Sequence, residues 1–399
     1  MATARLSHTL RGLQRCGVAA DVLPATMRAL IKEGDVVSVQ EVPLPECTGD
    51  DLLVRVEAAA LNPTDMANIG VMGAAQAEAV TAEGGALRGG ISRPVKAPRG
   101  FGGEGAGVVV ACGPDADPGF MGKRVAAWSL LTQGSYAEYY KVPASWTVEI
   151  PDDVSFVQAA GPAINPITAL GMIDEAKDGG HACIVHTAAA SQLGQMLVPL
   201  CKLEGIELIN IVRRDEQVEL LKSLGAEHVL NITDDSFRGA FGALAEQLGG
   251  TLAFDAVGSD TTKSLMLGMP AKSRICVYGA LGGGAVDVPS AGQMLGLKHG
   301  TTCEGWNYGG WMAAIGDARR YAEQGKAASM LGDVLKTTFG KEATLENLVD
   351  PCATHTRSAS SASETLALWC LLVGAGSFWS TTRRSGPTRK SSSGRSCSE

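Results

Sequence analysis

Beyond residue 150 the sequence alternates short apolar runs with amphipathic stretches of helical period, and this alternation limits the fold more than any other feature. Ala182–Val185, Ile206–Val212, His228–Leu230, Leu252–Phe254 and Arg274–Tyr278 read as strands. Leu193–Leu203, Glu216–Leu224, Ser236–Leu248 and Thr261–Leu267 read as the helices between them, and Ser155–Ile173 as an earlier helix interrupted near Pro162 and Pro166. Strands separated by helices cannot pair as hairpins. Each crossover helix returns the chain to the same end of the sheet, so the strands run parallel with helices on both faces. The class is α/β, and such a sheet takes ligands at the carboxyl ends of its strands.

Residues 27–150 carry another pattern. Short apolar runs (Leu30-Ile31, Val36–Val39, Leu52–Val56, Gly105–Val110, Arg124–Trp128, Tyr136–Val142) are punctuated by Pro43, Pro45 and Gly49, which predicts a small, curled all-β domain. The glycine- and proline-rich stretch 70–100 reads as a long loop able to line a substrate entrance. At roughly 150 residues per domain, 399 residues fill two or three domains.

Composition excludes several classes. A net charge of −8 offers no broad basic footprint, so nucleic acid is not an expected partner. Ten scattered cysteines without a CxxC pair argue against a zinc ribbon and a redox dithiol, and read as buried thiols in a reducing compartment. No apolar run approaches the length of a membrane span. Residues 1–26 hold Arg5, Arg11 and Arg15 before the first acid, Asp21, with Leu6, Leu10 and Leu13 at helical spacing. That is the composition of a transit peptide, making a mitochondrial or other organellar address one expectation and an unstructured extension of a cytoplasmic protein the other. From 353 to 399 serine, threonine and arginine dominate, which predicts a disordered or aberrant tail.

The first strand-to-helix turn of the parallel unit is His186-Thr187-Ala188-Ala189-Ala190-Ser191-Gln192-Leu193-Gly194. Small residues there let a backbone approach a pyrophosphate at a helix N-terminus, although the complete G-x-G-x-x-G is absent. The second strand ends in Arg213-Arg214, where a dinucleotide site for NAD places an acid. Two guanidinium forks suit a 2′-phosphate, so the pair favours NADP(H). A solvated charge cluster at a helix start is the alternative reading. Gly258 after Asp255, and Tyr278-Gly279, end two further strands with residues that allow close ligand approach or ordinary turns.

Four segments in order, Leu61-Asn62-Pro63-Thr64-Asp65, Gly102–Gly107, Asn165-Pro166-Ile167-Thr168-Ala169 and Leu224–Val229, resemble the medium-chain dehydrogenase/reductases. The resemblance is to the zinc-free branch of quinone oxidoreductases and enoyl thioester reductases, and covers about 27 to 335. It implies a GroES-like catalytic β-barrel (27–150, resumed over 301–352) and a Rossmann NADP(H)-binding domain (151–300), with the site between them. Zinc-dependent members carry cysteine and histidine near the two N-terminal motifs; Asn62–Asp65 has no cysteine, and Gly103 stands where those relatives have histidine, so no metal is expected.

By position in the family, Asn62 hydrogen-bonds the nicotinamide ribose or an acceptor carbonyl and Thr168 sits against the nicotinamide. Ser191, Gln192 and Gly194 face the pyrophosphate, Arg213 and Arg214 the 2′-phosphate. A turn at Asn62-Pro63 and a helix cap at Asp65 are the structural alternatives. The implied activity is hydride transfer from NADPH to a small electron-poor acceptor, a quinone or activated C=C, by a homodimer. An organellar trans-2-enoyl thioester reductase is the first alternative, though the tyrosine those enzymes carry after the N-P-x-D motif is missing from Ile69–Gly73. An inactive nucleotide-binding relative is the second.

Overall fold

The structure, a computed structural model, describes residues 23–33, 36–62, 65, 99–128, 134–161, 164–282, 286–296, 300–337, 339–345 and 368–372. Strands β1 (Thr26–Glu33) and β2 (Val36–Pro43) form an antiparallel pair extended by β4 (Arg99–Gly100). The larger barrel sheet is built on β3 (Asp51–Leu61), β5 (Glu104–Cys112), β6 (Arg124–Trp128), β7 (Tyr139–Pro143) and β8 (Thr147–Glu149). β3 pairs antiparallel with β5 on one side and with β7 along its first residues. Leu52, Val54, Val56, Val109, Val125, Tyr136, Tyr140 and Val142 point inward and make the barrel core. The close β3–β5 approach needs glycine at 107, because a Cβ there would lie 1.9 Å from the Arg55 carbonyl oxygen.

The expected long helix after residue 150 is two: α1 (Phe156–Ala159), capped by Ser155, and α2 (Ile164–Asp178). Pro166 lies in the first turn of α2, where its missing N–H costs nothing. Then follow β9 (Cys183–Thr187), α3 (Gln192–Glu204), β10 (Glu207–Val212), α4 (Asp215–Ser223), β11 (His228–Asn231), α5 (Phe237–Leu248), β12 (Leu252–Asp255), α6 (Ser259–Gly268) and β13 (Arg274–Val277). After α7 (Ala291–Leu295) comes β14 (Thr302–Gly305). All six strands are parallel, in the order β11-β10-β9-β12-β13-β14. The chain reverses direction of winding between β9 and β12, which opens the crevice of a dinucleotide fold. One face packs on α2 and α3 through Ile184, Phe254, Leu193 and Leu197, the other on α5 and α6 through Val185, Ile209, Phe241 and Leu265.

Two boundaries differ from the sequence reading. The barrel does not resume at 301: β14 is the sixth strand of the parallel sheet because it pairs with β13, and α8 (Tyr308–Ala314) and α9 (Gly316–Met330) pack on α2. The return falls near Lys336-Thr337, before β15 (Phe339–Ala343). The tail is not without regular structure, since β16 (Leu368–Leu372) pairs antiparallel with β3 and parallel with β15. A serine-rich flank hid this strand, because five apolar residues alone do not announce which sheet will accept them. Residues 1–22 of the expected 1–26 transit segment, and most of the 70–100 loop, lie outside the described residues.

Among the described residues Cys183, Cys201 and Cys276 are buried free thiols, Cys47 and Cys112 are half-buried, and Cys303 is exposed. Burial raises the Cys183 thiol to about 12 and removes thiolate character. No described helix is long and apolar enough to cross a membrane.

Candidate functional site between the barrel and the parallel sheet

The turn after β9 places its backbone at the crevice. Ala188 sits at φ 49°, an uncommon conformation for a residue with a Cβ. Ser191 caps α3 by accepting from Gly194 N at 3.3 Å, so its hydroxyl is engaged in the turn. Gly194 is required by packing: a Cβ would lie 2.1 Å from the Ala189 carbonyl oxygen. Gln192 is buried and its Nε2 donates to the Lys336 carbonyl oxygen at 3.3 Å, linking the first turn of α3 to the segment that returns to the barrel. Gln158 reads the same segment, donating to Thr337 O at 3.1 Å and accepting from Thr337 N at 3.2 Å.

Asp255 organises the other side of the crevice. One oxygen accepts from Thr187 Oγ1 at 2.7 Å and from Val257 N at 2.9 Å; the other accepts from Thr262 Oγ1 at 2.5 Å. Gly258 follows at φ 74°, ψ −153°, a region open only to glycine. Gly279 lets β13 pass close to β12, since a Cβ would come 2.7 Å from Ala256 O. Tyr278 Oη is 2.7 Å from His186 Nε2 and the rings stack at 5.9 Å. Burial lowers the His186 pKa to about 3 and pushes the Tyr278 phenol up, so both stay neutral.

At the end of β10, Arg213 is exposed and Arg214 half-buried. Arg214 Nε is sealed from solvent without a hydrogen-bond partner among the described residues. Asp215 does not neutralise the pair: its Oδ1 accepts from Asn231 Nδ2 at 2.9 Å, and neither arginine has an ion pair among the described residues.

The barrel contributes Asn62, buried at the end of β3. Its Nδ2 donates to Glu104 Oε1 at 2.7 Å, while Glu104 Oε2 accepts from Ile164 N, the first residue of α2, at 3.0 Å. Asp65 Oδ2 accepts from Asn62 N at 3.0 Å, and residues 66–98, where a helix capped by Asp65 would run, lie outside the described residues. Burial raises the Asp65 pKa to about 6. Pro63 and Thr64 lie outside the described residues. Thr168 is buried in α2, one turn beyond the Glu104 contact. Tyr136 and Tyr140 pack in the barrel core, their hydroxyls donating to Ala60 O at 2.8 Å and Gly103 O at 3.4 Å.

The predicted residues thus fall at the strand ends and along one interdomain seam. Two groups there were not singled out from sequence: Glu104, legible only as a lone acid in an apolar strand, and Tyr308. One further cluster, Glu207, Glu227 and His228, could hold a metal ion, but β10 and β11 begin there, at the opposite end of the sheet. A cavity of about 230 Å³ lies elsewhere, in the barrel, lined by Leu30, Tyr136, Ala137 and Tyr140.

Residues 48–152 match the family model of the alcohol dehydrogenase GroES-like domain, and residues 193–319 that of the zinc-binding dehydrogenases. The chain belongs to the medium-chain dehydrogenase/reductase family. Within that family it is 29% identical over 191 residues to a Leishmania amazonensis protein described as a quinone oxidoreductase, a match covering 47% of this chain and 54% of the relative. It is 26% identical over 251 residues to the mitochondrial enoyl-[acyl-carrier-protein] reductase of Arabidopsis thaliana, covering 62% of each. The chain therefore spans under two thirds of these relatives. A crystal structure described as an NADPH:quinone reductase from Mesorhizobium loti superposes with a TM-score of 0.71 at 26% identity, covering 88% of this chain and 99% of that one. The family's two-domain architecture, a GroES-like barrel and a Rossmann sheet, is the one observed.

Proposed function

We propose that the protein is an NADPH-dependent, zinc-independent reductase that delivers hydride to a quinone or an activated C=C of an enone or enal. The observation that carries this reading is the arginine pair at the end of β10, with the Arg214 Nε buried and unpaired. A buried cationic donor without an acceptor is costly, and a 2′-phosphate supplies the missing partner. The fit extends along the crevice. The turn after β9 brings backbone N–H groups and the Ser191 cap to the pyrophosphate, and Gly258 and Gly279 leave room for the ribose and nicotinamide. Thr168 packs the nicotinamide face, and Asn62, held by Glu104, offers its remaining amide atoms to the ribose or the acceptor.

Bound dihydronicotinamide supplies the hydride; the chain positions it and excludes water. Residue types support zinc independence: Asn62–Asp65 lacks cysteine, Gly103 stands where the zinc-dependent relatives have histidine, and Glu104 already holds Asn62 and the start of α2. The Mesorhizobium loti relative, described as an NADPH:quinone reductase, supports the cofactor and acceptor class. The Arabidopsis relative keeps enoyl thioester reduction as the second reading.

A fluorescence titration with NADPH and, separately, NADH tests the cofactor assignment, followed by turnover on a quinone, an enone and a crotonyl thioester. Tight NADPH binding, weak NADH binding and quinone or enone turnover unaffected by a zinc chelator are expected. Preference for the thioester moves the assignment to the second reading. Binding of neither nucleotide overturns both.

A further inference from the structure

We propose that the Tyr308 phenol is the hydrogen-bond donor that receives the carbonyl oxygen of the acceptor. The proposal rests on the reductase reading and adds to it a recognition group for one class of acceptor.

Tyr308 opens α8, three residues beyond the carboxyl end of β14, on the side of a parallel sheet where ligands bind. Its ring packs against the core that contains Trp306, Trp311 and Ile167. Glu104, Tyr140 and Asp65, all of the barrel, lie near enough for their charges to act on its phenol. It therefore stands across the seam from Asn62, which Glu104 and Asp65 both hold. The hydroxyl oxygen is sealed from solvent and has no hydrogen-bond partner among the described residues. Buried hydroxyls are almost always paired, so an unpaired one at the seam between the two domains asks for an explanation.

The chemistry of its neighbours says what would pair with it. Burial and the adjacent acids hold the phenol protonated, so it presents an O–H at every working pH. Glu104 and Asp65 already accept from Asn62. The Tyr136 and Tyr140 hydroxyls already donate to backbone carbonyls. The unmet requirement is for an acceptor oxygen. Trp128 Nε1, in the same cluster and opposite Glu104 in the β5–β6 register, is a second buried donor without a partner. A quinone, enone or enal brings a carbonyl oxygen with two lone pairs and no proton of its own, whereas an alcohol brings a further donor.

The phenol keeps its proton throughout. The hydride and its electron pair go from NADPH to an acceptor carbon, the C=C or quinoid π bond breaks, and negative charge collects on the carbonyl oxygen. There the Tyr308 O–H hydrogen bond strengthens, as a preorganised donor at a developing oxyanion does. Water supplies the proton that completes the enolate or hydroquinone anion.

Tyr308→Phe tests this, because it removes one atom that has no protein partner. We expect unchanged NADPH affinity, a melting temperature equal to or above that of the wild type, and kcat/KM for quinones and enones lower by about 100-fold, the scale for losing one oxyanion donor. Equal kcat/KM in variant and wild type overturns the proposal and leaves the reductase reading intact. A melting temperature lower by several degrees also overturns it, because the oxygen then has a structural partner. A wild type that binds NADPH and reduces no carbonyl acceptor defeats the reductase reading and this one together, and is seen before any variant is made. Infrared spectroscopy of 2-cyclohexenone bound with NADP⁺ gives a check on the folded wild type: its carbonyl stretch should fall in wavenumber on binding and revert in Tyr308→Phe. A band unshifted in the wild type, or still shifted in the variant, overturns the proposal.

Discussion

Asn62 of the barrel and Glu104 of the neighbouring strand are joined by a 2.7 Å hydrogen bond, and the other oxygen of the same carboxylate accepts from Ile164 N at the start of α2. One buried side chain thus fixes the amide expected to meet the ribose or acceptor and ties the barrel to the first helix of the nucleotide unit. Glu104→Ala leaves one buried and one partly buried donor unpaired and should destabilise the protein by about 3 kcal/mol in urea denaturation. Glu104→Gln keeps one acceptor but turns an NH₂ toward a donor, so an intermediate loss of about 1–2 kcal/mol is expected. Equal stability of all three proteins would contradict the bridging role.

The arginine pair predicts a cofactor effect without a folding effect. Arg213→Ala combined with Arg214→Ala should weaken NADPH binding about 10- to 100-fold, the range for charge-assisted hydrogen bonds to phosphate, and change NADH binding little. Fluorescence titration reads both. Unchanged discrimination between the nucleotides would remove the 2′-phosphate assignment.

Asp65 gives stability a pH dependence of known sign. Its pKa is raised by burial from 3.8 to about 6, so the folded state favours the protonated acid. That contribution is fully present below pH 4 and is lost as pH rises through 6, amounting to about 3 kcal/mol. Asp65→Asn should flatten the dependence of stability on pH between 4 and 7. An unchanged slope would mean that the carboxyl is not the titrating group.

His186 acts in the opposite sense. Burial lowers its pKa to about 3, so the neutral ring is favoured in the folded state and stability falls as pH drops from 6.5 toward 3. The loss approaches about 5 kcal/mol as an upper bound. Between pH 4 and 6 the Asp65 and His186 contributions offset one another in the wild type. His186→Gln should lower the acid sensitivity seen in thermal melts at pH 4, and an unaltered acid limb would count against it.

Gly194 tests the turn after β9. A methyl group at this position would approach the Ala189 carbonyl oxygen to 2.1 Å, and backbone cannot rotate away as a side chain can. Gly194→Ala should cost about 2–3 kcal/mol and weaken nucleotide binding by displacing the start of α3. Wild-type stability in calorimetry would show that the helix can shift freely.

The alternation of apolar runs and amphipathic stretches from Ala182 to Val277 was enough to place the strands of the parallel sheet, because a buried strand and a one-faced helix differ in period and length. The same pattern put Ser191, Gly194, Gly258 and Gly279 at strand ends, where only small residues permit the turns. Arg213 and Arg214 were legible as a cationic pair at the end of β10. The sixth strand was not: Thr302–Gly305 has no apolar pattern and its residues are exposed, so only its pairing with β13 reveals it.

What the sequence by itself determined is local: the periods of helices and strands, the residues that allow tight turns, and the charge at one strand end. These depend on neighbours along the chain. What only the tertiary structure decided depends on residues far apart meeting across the seam. Glu104 meets Asn62 and Ile164, Gln192 meets Lys336, His186 meets Tyr278, and the Tyr308 hydroxyl is left without a protein partner. Hydrogen bonding is short-ranged and directional, so which of many polar side chains are satisfied, and which are left unpaired, is fixed only when the two domains close on each other.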